Sequence, residues 1–191
     1  MPMSTTPLRL AVIVASTREG RFGPTVANWF TARATEHDGF DLDVIDVADH
    51  PLPAVLGSDP DPALHPLRER LAAADAVVVV TPEYNHSYPA SLKTLIDWHY
   101  EEWRLKPIGF VSYGGMAGGL RAVEHLRQVF AELHAVTVRD TVSFHIDWDR
   151  FDTDGNATDP DSAIAAKTML DQLTWWAHTL REGRAARQYT H

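Results

Sequence analysis

The 191-residue sequence contains no cysteine. Disulfides, thiolate metal sites and cysteine nucleophiles are therefore excluded. Long apolar runs are missing too. The longest wholly apolar stretch, Leu10 to Ala15, is far short of the roughly 20 residues that a membrane-spanning helix needs. Met1 to Pro7 lacks the charged and apolar regions of a signal peptide, so a cytoplasmic location is expected. Basic residues are scarce: 17 Lys and Arg stand against 26 Asp and Glu, for a formal net charge of -9. That balance argues against a nucleic-acid partner. It leaves room for an anionic small molecule, because a local phosphate site can sit in a negative overall field. Neither an internal repeat nor a second domain is visible. One domain over residues 1–191 is expected, with 1–7 flexible and 146–191 forming a C-terminal loop and helix.

What is present is an alternation of apolar runs and helical patterns. Leu8 to Ala15 is wholly apolar after Arg9, as befits a parallel strand covered on both faces. Phe40 to Val47, Ala76 to Thr81, Ile108 to Tyr113 and a stretch within Val136 to Phe144 read as further strands. Helices are expected over Thr25 to Glu36, Leu67 to Ala74, Pro89 to Trp103, Leu120 to Leu133 and Ile164 to Arg181, from apolar residues at helical spacing. The five prolines between Asp49 and Pro66 mark a loop. Strict alternation implies right-handed crossovers and a parallel sheet. The expected fold is a flavodoxin-like α/β three-layer sandwich with five parallel strands in the order 2-1-3-4-5. Ligands bind such sheets at the carboxyl ends of the strands around the switch point, so the loops after strands 1, 3 and 4 should carry unusual chemistry.

They do. The first loop, Ser16-Thr17-Arg18-Glu19-Gly20-Arg21-Phe22-Gly23-Pro24-Thr25, runs straight into a helix. Unpaired N–H groups at the helix start, hydroxyls of Ser16, Thr17 and Thr25, and the guanidinium groups of Arg18 and Arg21 together suit a phosphate. Gly20 and Gly23 permit a tight turn. The alternative is a solvated loop with a threonine cap. The second loop, Thr81 to Pro89, sets Tyr84 and Tyr88 between prolines, which suits an apolar wall with fixed donors for a flat heteroaromatic ring. Glu83 can equally bond to backbone or a neighbouring subunit, and His86 can be a surface residue. The third loop, Ser112 to Gly119, has four glycines in six positions and allows close backbone approach to a ligand.

These segments resemble the NADPH-dependent FMN reductases, a family that includes flavin, quinone, chromate and azo-dye reductases. The resemblance rests on Ser16 to Arg21, on Thr81 to Trp98 with Pro82-Glu83-Tyr84-Asn85, Leu92-Lys93 and Asp97-Trp98, and on Ser112 to Arg127. It implies FMN phosphate on Ser16, Thr17, Arg18, Arg21 and nearby helix amides, with Gly23, Pro24 and Thr25 bordering it. It implies ring contacts from Pro82, Glu83, Tyr84, Asn85, Ser112, Tyr113, Gly114 and Gly115. Homodimers or homotetramers are implied as well. The sequence departs from the family in Arg21-Phe22-Gly23-Pro24, where many members end the loop with serine and asparagine.

The implied chemistry is hydride transfer from NADPH or NADH to bound FMN, followed by reduction of a small acceptor such as a quinone, flavin or azo compound. No protein acid or base is required for the hydride step, although His86 is a candidate proton donor. The amides of Glu83 to Asn85 are expected near O4 and N5 of the ring, and those of Gly114-Gly115 near N1 and O2. Two alternatives differ in class: a flavodoxin-type electron carrier without pyridine-nucleotide activity, and a non-redox ligand-binding domain on the same fold. No metal site is expected. Histidines lack metal-ligand spacing, and Asp152-Thr153-Asp154-Gly155-Asn156 reads as a turn rather than a calcium loop. Trp175 and Trp176 are expected to pack in the core or an interface.

Overall fold

The computed structural model describes residues 7–57, 64–145 and 150–190. The expectations for residues 1–6, for 146–149 with Trp148, and for part of the proline-rich loop lie outside the described residues. In chain order the elements are β1 (Leu8–Val14), α1 (Gly23–His37), β2 (Phe40–Asp46), α2 (His65–Ala73), β3 (Ala76–Pro82), α3 (Ala90–Trp98), β4 (Pro107–Gly114), α4 (Leu120–Glu132), β5 (Val136–Thr137), β6 (Val142–His145) and α5 (Pro160–Ala186). All pairings between these strands are parallel, in the order β2-β1-β3-β4-β5, with β6 also on β4. This is the flavodoxin-like order.

The apolar strand sequences explain the layers. Side chains alternate across a strand, so Leu8, Leu10, Val12 and Val14 enter one core cluster with Ala76, Val78 and Val80. That cluster is closed by Trp29 and Phe30 of α1 and Met169, Leu170 and Leu173 of α5. Ala11, Ile13, Val77 and Val79 enter the other, with Leu71, Leu95, Leu126 and Phe130 from α2, α3 and α4. Edge strand β2 alternates Asp41 and Asp43 with apolar residues, and charge on an edge discourages strand addition.

Two elements differ from the expected ones. The helix expected over Pro89 to Trp103 stops at Trp98, and Glu101–Trp103 forms a separate 3-10 turn. The break lets Trp103 become fully buried, 5.5 Å from Phe130. The orphaned carbonyls are met by side chains: His99 Nδ1 bonds to Leu95 O at 2.8 Å, and Trp103 Nε1 donates to Ile96 O at 3.2 Å. The fifth strand is split. Ile108 pairs with Thr137 and Val111 with Val142, so the outer chain inserts two extra residues opposite β4. Arg127 holds this bulge by donating to Val138 O at 2.7 Å and Arg139 O at 2.9 Å. Trp176 packs against the core, whereas Trp175 is exposed.

Lys106 is buried and caps the end of α2, donating to the carbonyls of Leu71 and, at 3.0 Å, Ala72. Burial pushes its pKa down from 10.5 to about 8, with Arg184 adding repulsion and Asp75 opposing it. Between these values the unfolded chain holds the extra proton, so stability rises with pH. The unfolding free energy in urea should therefore climb from pH of about 8 to about 10.5, by on the order of 3 kcal/mol. Lys106→Met should lack that rise, and equal slopes in the two proteins would contradict the assignment. Tyr113, pushed up to about 12 by burial, turns the trend downward once unfolded tyrosine ionises above about pH 10.

Candidate functional site

The loops after β1, β3 and β4 converge at the carboxyl ends of the strands. Helix α1 starts at Gly23 with proline in its first turn, no side-chain cap and no acidic residue there. Its partly positive end is open to an anion. Ser16 is fully buried and Tyr113 is 3% exposed. Among the described residues neither hydroxyl has a hydrogen-bond partner. Both point at Gly23: a Cβ there would lie 2.3 Å from Ser16 Oγ and 2.9 Å from the Tyr113 hydroxyl. An unmet buried hydroxyl costs about 1–3 kcal/mol, so this cradle calls for an acceptor from outside the chain. Burial holds Tyr113 protonated up to about 12; the Ser16 hydroxyl pulls back only in part, without hydrogen-bond geometry. The site therefore offers two neutral donors beside a helix start, which fits a phosphate ester.

The two arginines of this loop have different employment. Arg21 grips Asp46 at the end of β2, with Nη1 to Oδ1 at 2.6 Å and Nη2 to Oδ2 at 2.7 Å. It also donates to Ser16 O at 2.8 Å. The bond to Asp46 raises its pKa, and the pair folds the loop back onto the sheet. Arg18 is exposed and has no carboxylate partner among the described residues, so its charge is available to a ligand. Thr17 is exposed as well, and Thr25 turns toward Gly155 on the far side of α1. There a groove of about 720 Å³ runs between α1 and residues 151–156, adjoining the site through Gly20 and Phe22.

After β3 the chain forms a two-residue hairpin. Tyr84 N–H donates to Ser87 O at 2.8 Å and Ser87 N–H to Tyr84 O at 3.0 Å. Asn85 and His86 between them have φ of 49° and 69°. Such a turn suits Asn followed by Gly, and histidine in the second place carries a strain of order 1 kcal/mol. The expected row of ligand-facing amides is thereby shortened. Glu83 N–H is spent on Tyr113 O at 3.0 Å and Tyr84 N–H on Ser87, which leaves Asn85 N–H. The Glu83 carboxylate is 6% exposed and turned to α4. It accepts from Arg121 N–H at 3.2 Å and Arg121 Nε at 2.6 Å, and pairs with Arg121 Nη2. It thus caps a helix whose own cap residue, Gly119, has no side chain. Arg121 Nη1 lies 2.7 Å from His86 Nε2, and His125, one turn on, meets Ser87 Oγ at 3.0 Å.

The glycine loop after β4 is pinned from beneath. Ser112 Oγ and Ser143 Oγ each donate to Gly118 O at 2.8 Å, so the Ser112 hydroxyl is spent inside the protein. His145 Nδ1 holds Gly115 O at 3.2 Å. Gly114 sits against Glu83, its would-be Cβ 3.2 Å from the Glu83 Cβ, while a Cβ on Gly115 would meet nothing within 4 Å. Met116 at the tip is 91% exposed. Pro82 pairs with Tyr113 in register, which binds the second and third loops together. Tyr88 is partly buried and packs against the second core cluster. Sequence reasoning missed Asp46, Arg121, His125 and Ser143. Of these only Arg121 left a signal, as a cation directly behind the glycine loop.

Comparison with known proteins bears on family and fold. Residues 8–149 match the family model described as NADPH-dependent FMN reductase. An NAD(P)H-dependent FMN reductase of Schizosaccharomyces pombe is 38% identical over 58% of this chain and 60% of that protein, so the match spans less than two thirds of that relative's length. A 2-hydroxy-1,4-benzoquinone reductase of a Burkholderia species is 30% identical over 91% of this chain and 98% of that protein. In fold the chain is similar to the flavoenzyme NAD(P)H:(acceptor) oxidoreductase FerB of Paracoccus denitrificans, with a TM-score of 0.77 at 23% identity over 90% of this chain and 98% of that one.

Proposed function

The chain belongs to the NADPH-dependent FMN reductase family, and from that premise we propose that residues 1–191 form one flavodoxin-like domain that binds FMN in the crevice above β1, β3 and β4. The observation that carries this reading is the pair of buried, unpartnered hydroxyls of Ser16 and Tyr113 at the start of α1. Ser16, Thr17, Arg18, the Tyr113 hydroxyl and the loop amides hold the phosphate, with Gly23 and Pro24 shaping its cradle. Arg21 serves through Asp46 as the strut of that loop. Pro82, Glu83, Tyr84, Asn85 and Ser112 to Gly115 line the ring site, with Asn85 N–H as the donor at its edge.

Bound FMN supplies the chemistry that takes hydride from NADPH or NADH and passes electrons to an acceptor. The chain's own part is to bind, orient and leave one face of the crevice accessible, where Gly115 adds no bulk. A small quinone is the proposed acceptor class, supported by the quinone-reducing Burkholderia relative. No helix among the described residues is long and apolar enough to cross a membrane. A cytoplasmic location, from the sequence pattern, and a homodimer or homotetramer, from the family resemblance, complete the proposal.

An absorption spectrum followed by anaerobic titration tests it. Purified protein mixed with FMN should retain flavin after gel filtration, bleach with NADPH and regain colour with benzoquinone. Retained flavin that NADPH fails to bleach would favour an electron carrier. Colourless protein that retains no FMN would favour a non-redox ligand-binding domain.

A further inference from the structure

We propose that His86 and Arg121 act together as positioning residues for the flavin, and that they do so only while His86 is neutral. This rests on the FMN reading and concerns the same site. A guanidinium can donate hydrogen bonds but cannot accept them. Arg121 Nη1 lies 2.7 Å from His86 Nε2, so Nε2 must present its lone pair and the ring proton must sit on Nδ1. A second proton would place an N–H against the arginine's own N–H and set two cations face to face, which removes the bond.

That bond has a task the hairpin cannot perform alone. Asn85 and His86 both occupy left-handed backbone, at φ of 49° and 69°. Histidine does not favour this conformation, and it is held here from outside. The hold comes from one face of α4: Arg121 reaches Glu83 and His86, and His125 reaches Ser87 at 3.0 Å. Among the described residues the charged and titratable groups that meet the turn are Glu83 and Tyr84 on its own hairpin and Arg121 and His125 on α4. The same helix begins directly behind the glycine loop, so the two loops that flank the ring move as one body. The amide whose direction depends on the turn is Asn85 N–H, which has no acceptor among the described residues. Arg121 and His86 therefore act on the ligand through the backbone between them.

Two readouts test this, one of them without flavin. Hydrogen-exchange protection of the Tyr84 and Ser87 amides should be measured in the flavin-free protein between pH of about 8 and about 5. FMN dissociation constants should be measured over the same range. In the wild type, protection and affinity should each fall about tenfold on acidification. In His86→Gly the turn no longer needs the contact, so protection should stay within about twofold, and the acid loss of affinity should shrink to the part that protonation of the FMN phosphate causes by itself. Arg121→Met should lose protection already at the upper pH. That variant leaves the Glu83 carboxylate unpaired; if it does not fold, the comparison of His86→Gly with wild type decides. A flat wild-type profile, or the same acid loss in His86→Gly, overturns the proposal. If the wild type binds no FMN at any pH, the functional reading fails as well, and exchange in the flavin-free protein separates the two failures.

Discussion

Gly23→Ala should weaken FMN binding by about tenfold to a hundredfold while the protein still folds. The added methyl would sit 2.3 Å from Ser16 Oγ, 2.9 Å from the Tyr113 hydroxyl and 3.2 Å from Val14 Cγ1. All three are the ends of side chains, and of these the serine can rotate and the tyrosine can shift. Either movement removes a donor from the cradle. Gly23 is the first residue of α1, where alanine is a better helix former than glycine, and that gain offsets part of the crowding. Titration of flavin fluorescence gives the dissociation constant, and thermal melting of the flavin-free protein gives the stability. Tyr113→Phe separates crowding from chemistry. It deletes an unmet buried hydroxyl, so the flavin-free protein should melt no lower than wild type while FMN affinity falls. Unchanged affinity in both variants would remove the cradle from the binding site.

Gly119→Ala should produce the largest loss of stability, about 3–5 kcal/mol. Gly119 has φ +87° at the cap of α4, a conformation that alanine adopts only with strain. Its Cβ would also lie 2.6 Å from the Ser112 Cβ and 2.8 Å from the backbone N of Tyr113. These atoms belong to the buried strand β4 and cannot rotate away, unlike the hydroxyls around Gly23. The melting temperature should drop by about 10 °C, on a scale of a few degrees per kcal/mol for a chain of this size. A drop of less than about 2 °C would mean that the glycine loop is not held against β4 as described.

The sequence by itself determined the layers and the loops in which a site should be sought. Runs such as Ala76 to Thr81 are apolar on both faces, and only a covered parallel strand satisfies them. Strand alternation then placed the chemistry in the loops after β1, β3 and β4, where glycines, prolines and hydroxyls already stood out. Local spacing carries that information because strand and helix periods are local properties. Only the tertiary structure decided how each polar group is employed. Arg18 and Arg21 are equivalent guanidiniums on paper, yet Asp46, 25 residues on, takes one and leaves the other exposed. Glu83 reads as a ligand contact, and the fold commits its carboxylate to capping a helix through Arg121, 38 residues away. The helix end at Trp98 and the split outer strand likewise follow from burying Trp103 and from the bulge that Arg127 supports. Charge and hydrogen bonds act over a few ångströms, whatever the separation along the chain, so such pairings exist only once the fold has brought the partners together.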